Sequence, residues 1–205
     1  MNNLKFLFLI LTALSCSEKR SSETKLTENQ KVSTTIKAKD FKDLVLYEDS
    51  LNGIKIPFET NDNLLYYLQS KLNPYSVKKE IGQQDGPDFP LYTVQKEELE
   101  ILFFVMDSED TLKLNDIYIN SPLVKDMYGL KVGDSYSEIK SRRKGNLQNY
   151  TDFHQHTFLF TDNSNIMYEI TGDISLPANV DLDNIKLTEE KIKDWKIENI
   201  LWRKK

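Results

Sequence analysis

Two histidines and an aspartate at alternate positions form the pattern in this chain with the clearest chemical potential. Asp152, His154 and His156 lie in residues 151–161, whose composition predicts a β-strand. Alternate side chains of a strand project from one face, and imidazole and carboxylate groups are ligands of transition metals. The pattern therefore allows a metal site, and with it a metal-dependent hydrolase. Two phenylalanines share the same parity, so this face can equally run into a hydrophobic core.

Two acidic loops offer further polar groups. Residues 107–110, Asp-Ser-Glu-Asp, carry the oxygen ligands that calcium prefers, but they lack the spacing and the glycine of an EF-hand loop, which favours a solvated turn. The glycine- and proline-rich loop over residues 82–90 carries Asp85, Asp88 and Phe89. Polar loops with an aromatic residue are common contact sites, so these three are candidate partner-binding residues.

The inventory for catalysis is thin. The chain has one cysteine and two histidines, and it contains no Gly-x-Ser-x-Gly, His-Glu-x-x-His or phosphate-binding glycine motif. We therefore expect a protein without enzymatic activity and without a cofactor. A net charge of −5 and a pI of about 5.2 also argue against binding to nucleic acid.

The single cysteine stands at an informative place. Residues 1–15 have one early lysine and then an apolar stretch of about twelve residues, too short to span a bilayer. Cys16 follows the small residue Ser15, an arrangement that resembles the signal of bacterial lipoproteins of the Bacteroidota type. Ala13 stands where the usual signal has leucine. The alternative is an ordinary secretory signal with a chance cysteine.

The lipoprotein resemblance implies a location and a partner. Diacylglycerol would be attached to the Cys16 thiol, and a further acyl chain such as palmitate would strengthen the membrane anchor. Ser17 and Glu18 do not resemble an aspartate-based inner-membrane retention signal, so the resemblance implies a lipid-anchored protein of the cell envelope, at the outer membrane.

A polar segment separates the anchor from the part that can fold. Residues 16–40 contain no aromatic residue and predict a disordered tether. The tether has six basic and four acidic residues, a charge of +2. Removing these and Lys5 from the chain totals leaves 20 basic and 28 acidic residues in 41–205, a charge of −8. Such a domain suits a cationic protein partner.

Hydrophobic periodicity predicts one compact α+β domain over residues 41–205. Alternating segments predict a mostly antiparallel sheet, and two or three short helices are expected near residues 64–72, 136–143 and 188–195. Ser135 and Glu138 have the spacing of a capping box. Residues 113–117 resemble 196–200, and residues 53–56 resemble 129–132, which suggests two similar halves, 41–127 and 128–205.

A glycine-rich element adds a second resemblance. Residues 128–140 read YGLKVGDSYSEIK, and over about 113–170 the chain is similar to uncharacterised bacterial envelope-stress lipoproteins. That element marks a strand-to-helix turn and carries no catalytic residue. We therefore expect an envelope lipoprotein with a binding or structural role. The alternatives are the metal-dependent hydrolase and an inhibitor or immunity protein that captures a cationic enzyme.

Overall fold

A computed structural model describes residues 41–58, 63–83, 86–152, 154–173 and 185–205, and its largest feature is a sheet of eight strands. The elements in chain order are β1 (Leu44–Leu46), β2 (Ser50–Leu51), β3 (Ile54–Lys55), α1 (Leu64–Leu72), β4 (Ser76–Gly82), β5 (Phe89–Lys96), β6 (Leu99–Met106), β7 (Leu114–Ile119), β8 (Val124–Asp126), α2 (Tyr136–Arg142), β9 (Gln148–Thr151), β10 (Thr157–Phe160), β11 (Ile166–Thr171), α3 (Glu189–Ile192) and β12 (Lys196–Arg203). The large sheet has the order β4-β5-β6-β7-β12-β11-β10-β9 and is antiparallel throughout. A small sheet has the order β3-β2-β1-β8, with β1 and β8 parallel. The predicted α+β class with a mostly antiparallel sheet is confirmed.

The large sheet consists of two four-stranded meanders that meet at its centre. Each follows a helix in the chain: β4 to β7 come after α1, and β9 to β12 come after α2. The meanders join through β7 and β12, where Ile117 lies opposite Trp202 and Ile119 opposite Ile200. These two strands contain residues 114–117 and 196–200 of the two similar segments. The division into similar halves, 41–127 and 128–205, and their origin by duplication both stay predictions.

One face of the large sheet carries the main hydrophobic core. Ile117, Ile119, Ile200 and Trp202 point to this face and are fully buried. The apolar side of α1 and the leucines of the small sheet belong to the same cluster of buried residues. We call this the inner face. Its strands supply every second side chain to the core, because side chains alternate between the two faces of a sheet.

The helix α2 begins at the predicted capping box. The backbone N–H of Glu138 donates to the Ser135 hydroxyl at 3.4 Å, and the backbone N–H of Ser135 donates to the Glu138 carboxylate at 2.8 Å. The Glu138 carboxylate accepts hydrogen bonds from both the backbone N–H and the hydroxyl of Ser135, and these lower the pKa of the Glu138 carboxyl. The prediction of this helix start is confirmed, because a capping box depends only on contacts within one turn.

Two predictions of local structure are wrong. Residues 151–161 are not one strand: β9 ends at Thr151, β10 begins at Thr157, and residues 152–156 connect them. The side chain of Asp152 closes this connection by accepting two backbone N–H groups. The spacing of residues 49–52 between the apolar segments 41–48 and 53–58 predicts a hairpin turn, but Leu51 pairs with both Leu46 and Ile54 as part of β2.

The predicted signal segment 1–15, the lipid-anchor residue Cys16 and the tether over 16–40 lie outside the described residues. Within the described ranges, no helix is both long and apolar enough to cross a membrane.

Candidate functional site

The second face of the large sheet holds a cleft of about 1000 Å³. Side chains that alternate with those of the core point to it, and neighbouring strands place them side by side: Phe103 lies opposite Tyr118, and Asp116 lies opposite both Val105 and Arg203. Two further residues on this face, Met167 and Leu201, are 8% and 1% exposed yet lie outside the main core cluster. The cleft face therefore has a packed layer of its own beneath the cleft.

Aromatic rings form much of the cleft wall. The rings of Phe103 and Tyr118 stack with centroids 5.5 Å apart and an angle of 21° between their planes. Phe158 also lines the cleft and packs against Tyr150, whose ring centroid lies 5.2 Å away and which is not itself a lining residue. Burial raises the pKa of the Tyr118 and Tyr150 hydroxyls. Such rings provide large flat apolar surfaces for a ligand.

Two hairpins from opposite edges of the sheet line the same cleft. The β4–β5 hairpin contributes Gly82 and Phe89, and the β9–β10 hairpin contributes Asp152, His154 and His156. These hairpins are far apart in strand order, so the sheet must be strongly curved to bring them to one cleft.

The candidate partner-binding residues Asp85, Asp88 and Phe89 differ in their position relative to the cleft. Phe89 lies opposite Gly82 and its ring packs so closely on that residue that a Cβ there would stand 2.2 Å from the ring. Phe89 thereby lines the cleft, whereas Asp88 is exposed and does not line it. Asp85 lies outside the described residues.

An ion pair lies on the floor of the cleft. Arg203 donates from Nε to Oδ1 of Asp116 at 2.6 Å and from Nη2 to Oδ2 at 2.9 Å. Asn115 donates to Oδ2 at 3.0 Å. The Asp116 side chain is 3% exposed and that of Arg203 is 46% exposed. The bond to Asp116 raises the pKa of the guanidinium, which leaves a neutralised but partly accessible pair.

A second pair lies nearer the β9–β10 hairpin. Nδ1 of His156 contacts Oε1 of Glu169, and Asn199 donates to Oε2 at 2.8 Å. The Glu169 side chain is 7% exposed, whereas that of His156 is 52% exposed. The hydrogen bond to Glu169 raises the pKa of the imidazole. Glu169 is therefore a buried carboxylate with an exposed, titratable partner.

The metal candidates do not form the predicted array. His154 and His156 lie in the connection between β9 and β10, with ring centroids 6.3 Å apart and planes at 73°. Oδ1 of Asp152 accepts the backbone N–H of His154 at 3.0 Å and that of His156 at 2.9 Å. Among the residues that the structure describes, no group of three or more His, Cys, Asp or Glu side chains is placed to hold a metal ion.

The acidic segment 107–110 forms a turn between β6 and β7. Oδ1 of Asp107 accepts the backbone N–H groups of Glu109 at 2.7 Å and Asp110 at 3.0 Å. Asp110 pairs with Lys113 at 2.7 Å, and that hydrogen bond is the main cause that lowers the pKa of the Asp110 carboxyl. These contacts account for the acids as turn residues.

The inner face carries a separate polar cluster. Arg143 donates to the hydroxyl of Tyr168 at 3.0 Å and to that of Thr161 at 2.7 Å, and its guanidinium lies 4.3 Å from the ring centroid of Tyr128. The Tyr168 hydroxyl donates to Asp126. Burial raises the pKa of both Asp126 and Tyr168. This cluster is buried and does not line the cleft.

Sequence reasoning missed the charged residues of the cleft floor. Asp116 and Glu169 are each the single charged residue of a largely apolar and aromatic strand, β7 and β11. An acid inside such a strand was the available signal, because a buried carboxylate requires a partner. The partners themselves lie 87 residues away for Asp116 and 30 and 13 residues away for Glu169.

Comparison with known proteins shows a similar fold in a solved structure and no match by sequence. No protein-family model matches the sequence, and no curated protein matches it. The structure is similar to the crystal structure of the uncharacterized protein yfeY from Escherichia coli, with a TM-score of 0.56 and 18% sequence identity. The match covers 78% of this chain and 99% of that chain. At this identity, the likeness shows a shared fold.

Proposed function

We propose that this chain is a lipid-anchored, non-catalytic binding protein of the bacterial cell envelope, whose ligand enters the cleft. The observation that carries the proposal is the cleft itself. Its volume of about 1000 Å³ is at the upper end of the range of small-molecule sites. Its lining combines apolar and aromatic side chains with polar and charged ones, and fixed polar groups can orient a ligand.

The polar groups of the cleft support recognition. Asp116 and Glu169 are each hydrogen-bonded to two side chains, so both carboxylates have defined positions. Fixed polar groups on the rigid strands of a sheet favour a single ligand orientation. The lipoprotein resemblance at Cys16 supports the location, since an acyl anchor would keep this cleft at a membrane surface.

Binding can be tested with the neutral aromatic dye N-phenyl-1-naphthylamine. The chain is prepared as residues 16–205 with Cys16→Ser, which retains every residue of the described core. We expect the dye fluorescence to increase on binding, and Phe103→Ala to weaken dye binding about tenfold, because this change removes one ring of the stacked pair.

Leu99→Ala is the matched control for Phe103→Ala. Leu99 lies on the same strand, β6, and is 58% exposed outside the cleft. Equal loss of dye binding in the two variants would place the dye elsewhere. No dye binding by either the parent chain or the Leu99→Ala variant would contradict the proposal.

The anchor has its own test in bacterial cells. We expect Cys16→Ser to abolish incorporation of labelled palmitate and to move the protein from the membrane fraction to the soluble fraction, because the thiol is the site of lipid attachment. Ser17→Ala should retain both properties. Membrane association and labelling that are unchanged by Cys16→Ser would contradict the lipoprotein assignment.

A further inference from the structure

The charged groups of the cleft are predominantly acidic. Three carboxylates line it, and the described lining contains a single permanent cation. These residues are Asp116, Asp152, Glu169 and, as the cation, Arg203. Because Arg203 is engaged with both oxygens of Asp116, this pair is electrically neutral. The remaining excess of negative charge lies at the other end of the cleft, with Asp152 and Glu169.

Glu169 is the better placed of these two carboxylates to meet a ligand. It lies on β11 between Asn199 on β12 and Phe158 on β10. Asn199 provides a neutral hydrogen bond, and His156 contacts Glu169 with a side chain that can carry a positive charge. His156 is half exposed at the cleft rim, so a ligand can displace its ring without breaking the core.

The aromatic wall favours the same ligand charge. The Phe158 ring lies beside the His156 ring, with centroids 6.4 Å apart and planes at 26°, so the imidazole is next to an aromatic ring. An ammonium group attracts both a carboxylate and the face of an aromatic ring. The His156 ring therefore stands where the cationic end of a ligand would find both partners.

We infer that the cleft binds a small amphipathic amine, with its apolar body on the stacked Phe103 and Tyr118 rings and its ammonium group on Glu169 beside Phe158. This inference rests on the proposed binding function and names its ligand class. The cleft volume favours a small molecule over a folded partner, because it matches a ligand-sized concavity.

The test uses three probes that differ only in the end group: 4-phenylbutylamine, 4-phenylbutanol and 4-phenylbutanoate. Each is titrated against the dye complex of residues 16–205 carrying Cys16→Ser. We expect the amine to displace the dye at a concentration about tenfold lower than the alcohol, and the carboxylate to be the weakest. Glu169→Gln should remove the preference for the amine and leave the affinity for the alcohol unchanged.

Glu100→Gln is the matched control, since it removes one negative charge from an exposed position on β6 outside the cleft. It should retain the preference for the amine. His156→Gln tests the same site without removing a buried group. This variant should bind the amine more tightly, because the imidazole no longer competes for Glu169. If Glu169→Gln does not fold, the His156→Gln result alone decides whether the amine binds at Glu169.

The remaining outcomes are distinct. Equal affinity for amine and alcohol, unchanged in both cleft variants, would overturn the inference and retain the binding cleft. Tightest binding of the carboxylate would overturn it in favour of Arg203 as the anchor. Displacement by a lysine-rich peptide without displacement by the amine would indicate a polypeptide partner instead. If the dye itself does not bind, the proposed function fails together with the inference.

Discussion

The inner face of the large sheet buries its polar cluster behind other elements, whereas the cleft face keeps its ion pairs beside solvent. Arg143 on the inner side is 5% exposed, but the Arg203 side chain on the cleft side is 46% exposed. Tyr168 is fully buried among hydrogen-bond partners, while Tyr118 is half-buried in the cleft wall. The same sheet therefore directs buried and solvent-accessible polar groups to opposite faces by the parity of its side chains.

The largest expected difference between the faces concerns large aromatic side chains. Trp202 is fully buried on the inner face and donates from Nε1 to the carbonyl of Glu48 at 2.8 Å. We expect Trp202→Ala to lower the free energy of unfolding by about 3–5 kcal/mol, because it leaves a core cavity. Phe158→Ala on the cleft face should cost about 1 kcal/mol. Denaturant unfolding measures both, and equal losses would contradict the distinction between the faces.

A smaller difference is expected for single hydroxyl groups. Tyr168→Phe removes the hydroxyl that links Arg143 to Asp126 and leaves both buried groups short of a partner. We expect a loss of about 1–3 kcal/mol in the free energy of unfolding. The matched variant Tyr118→Phe, on the cleft face, should change it by less than about 0.5 kcal/mol. A larger effect at Tyr118 would show that the cleft wall also supports the fold.

The smallest effect is the pH dependence from His156. The contact with Glu169 raises the folded-state pKa of the imidazole above its ordinary value, so the protonated ring stabilises the folded protein. That contribution is complete below the unfolded-state pKa and is lost as pH rises through the raised folded-state pKa. Thermal unfolding from pH 5 to 8 should show this loss, and His156→Gln should remove it. His154→Gln is the control that should retain it.

Local structure was predictable wherever neighbouring residues decide it. The helices near residues 64–72 and 136–143 and the capping box at Ser135 and Glu138 all appear as expected. The strand over 151–161 failed because the Asp152 side chain replaces strand pairing with a turn, which a period-two pattern of residues does not reveal. The short strand β8 was missed because its pairing partner β1 is distant in the chain.

The candidate site was predictable only in pieces. Phe89 and His156 were both singled out, but for separate sites, a partner loop and a metal centre. The curved sheet brings both residues to one cleft, and it adds Asp116, Glu169 and Arg203, which sequence reasoning did not select. Charged residues inside apolar strands were visible in the sequence, but their pairing was not.

By itself, the sequence determined the α+β class, the positions of α1 and α2 and the capping box that starts α2, because these depend on periodicity and on contacts within a few residues. Only the tertiary structure decided that β7 pairs with β12, that Arg203 reaches Asp116, and that two distant hairpins share one cleft. The physical reason is that strand order and sheet curvature arise from contacts between residues far apart in the chain. A local pattern tells which side chains share a face, and the long-range pairing decides what that face encloses.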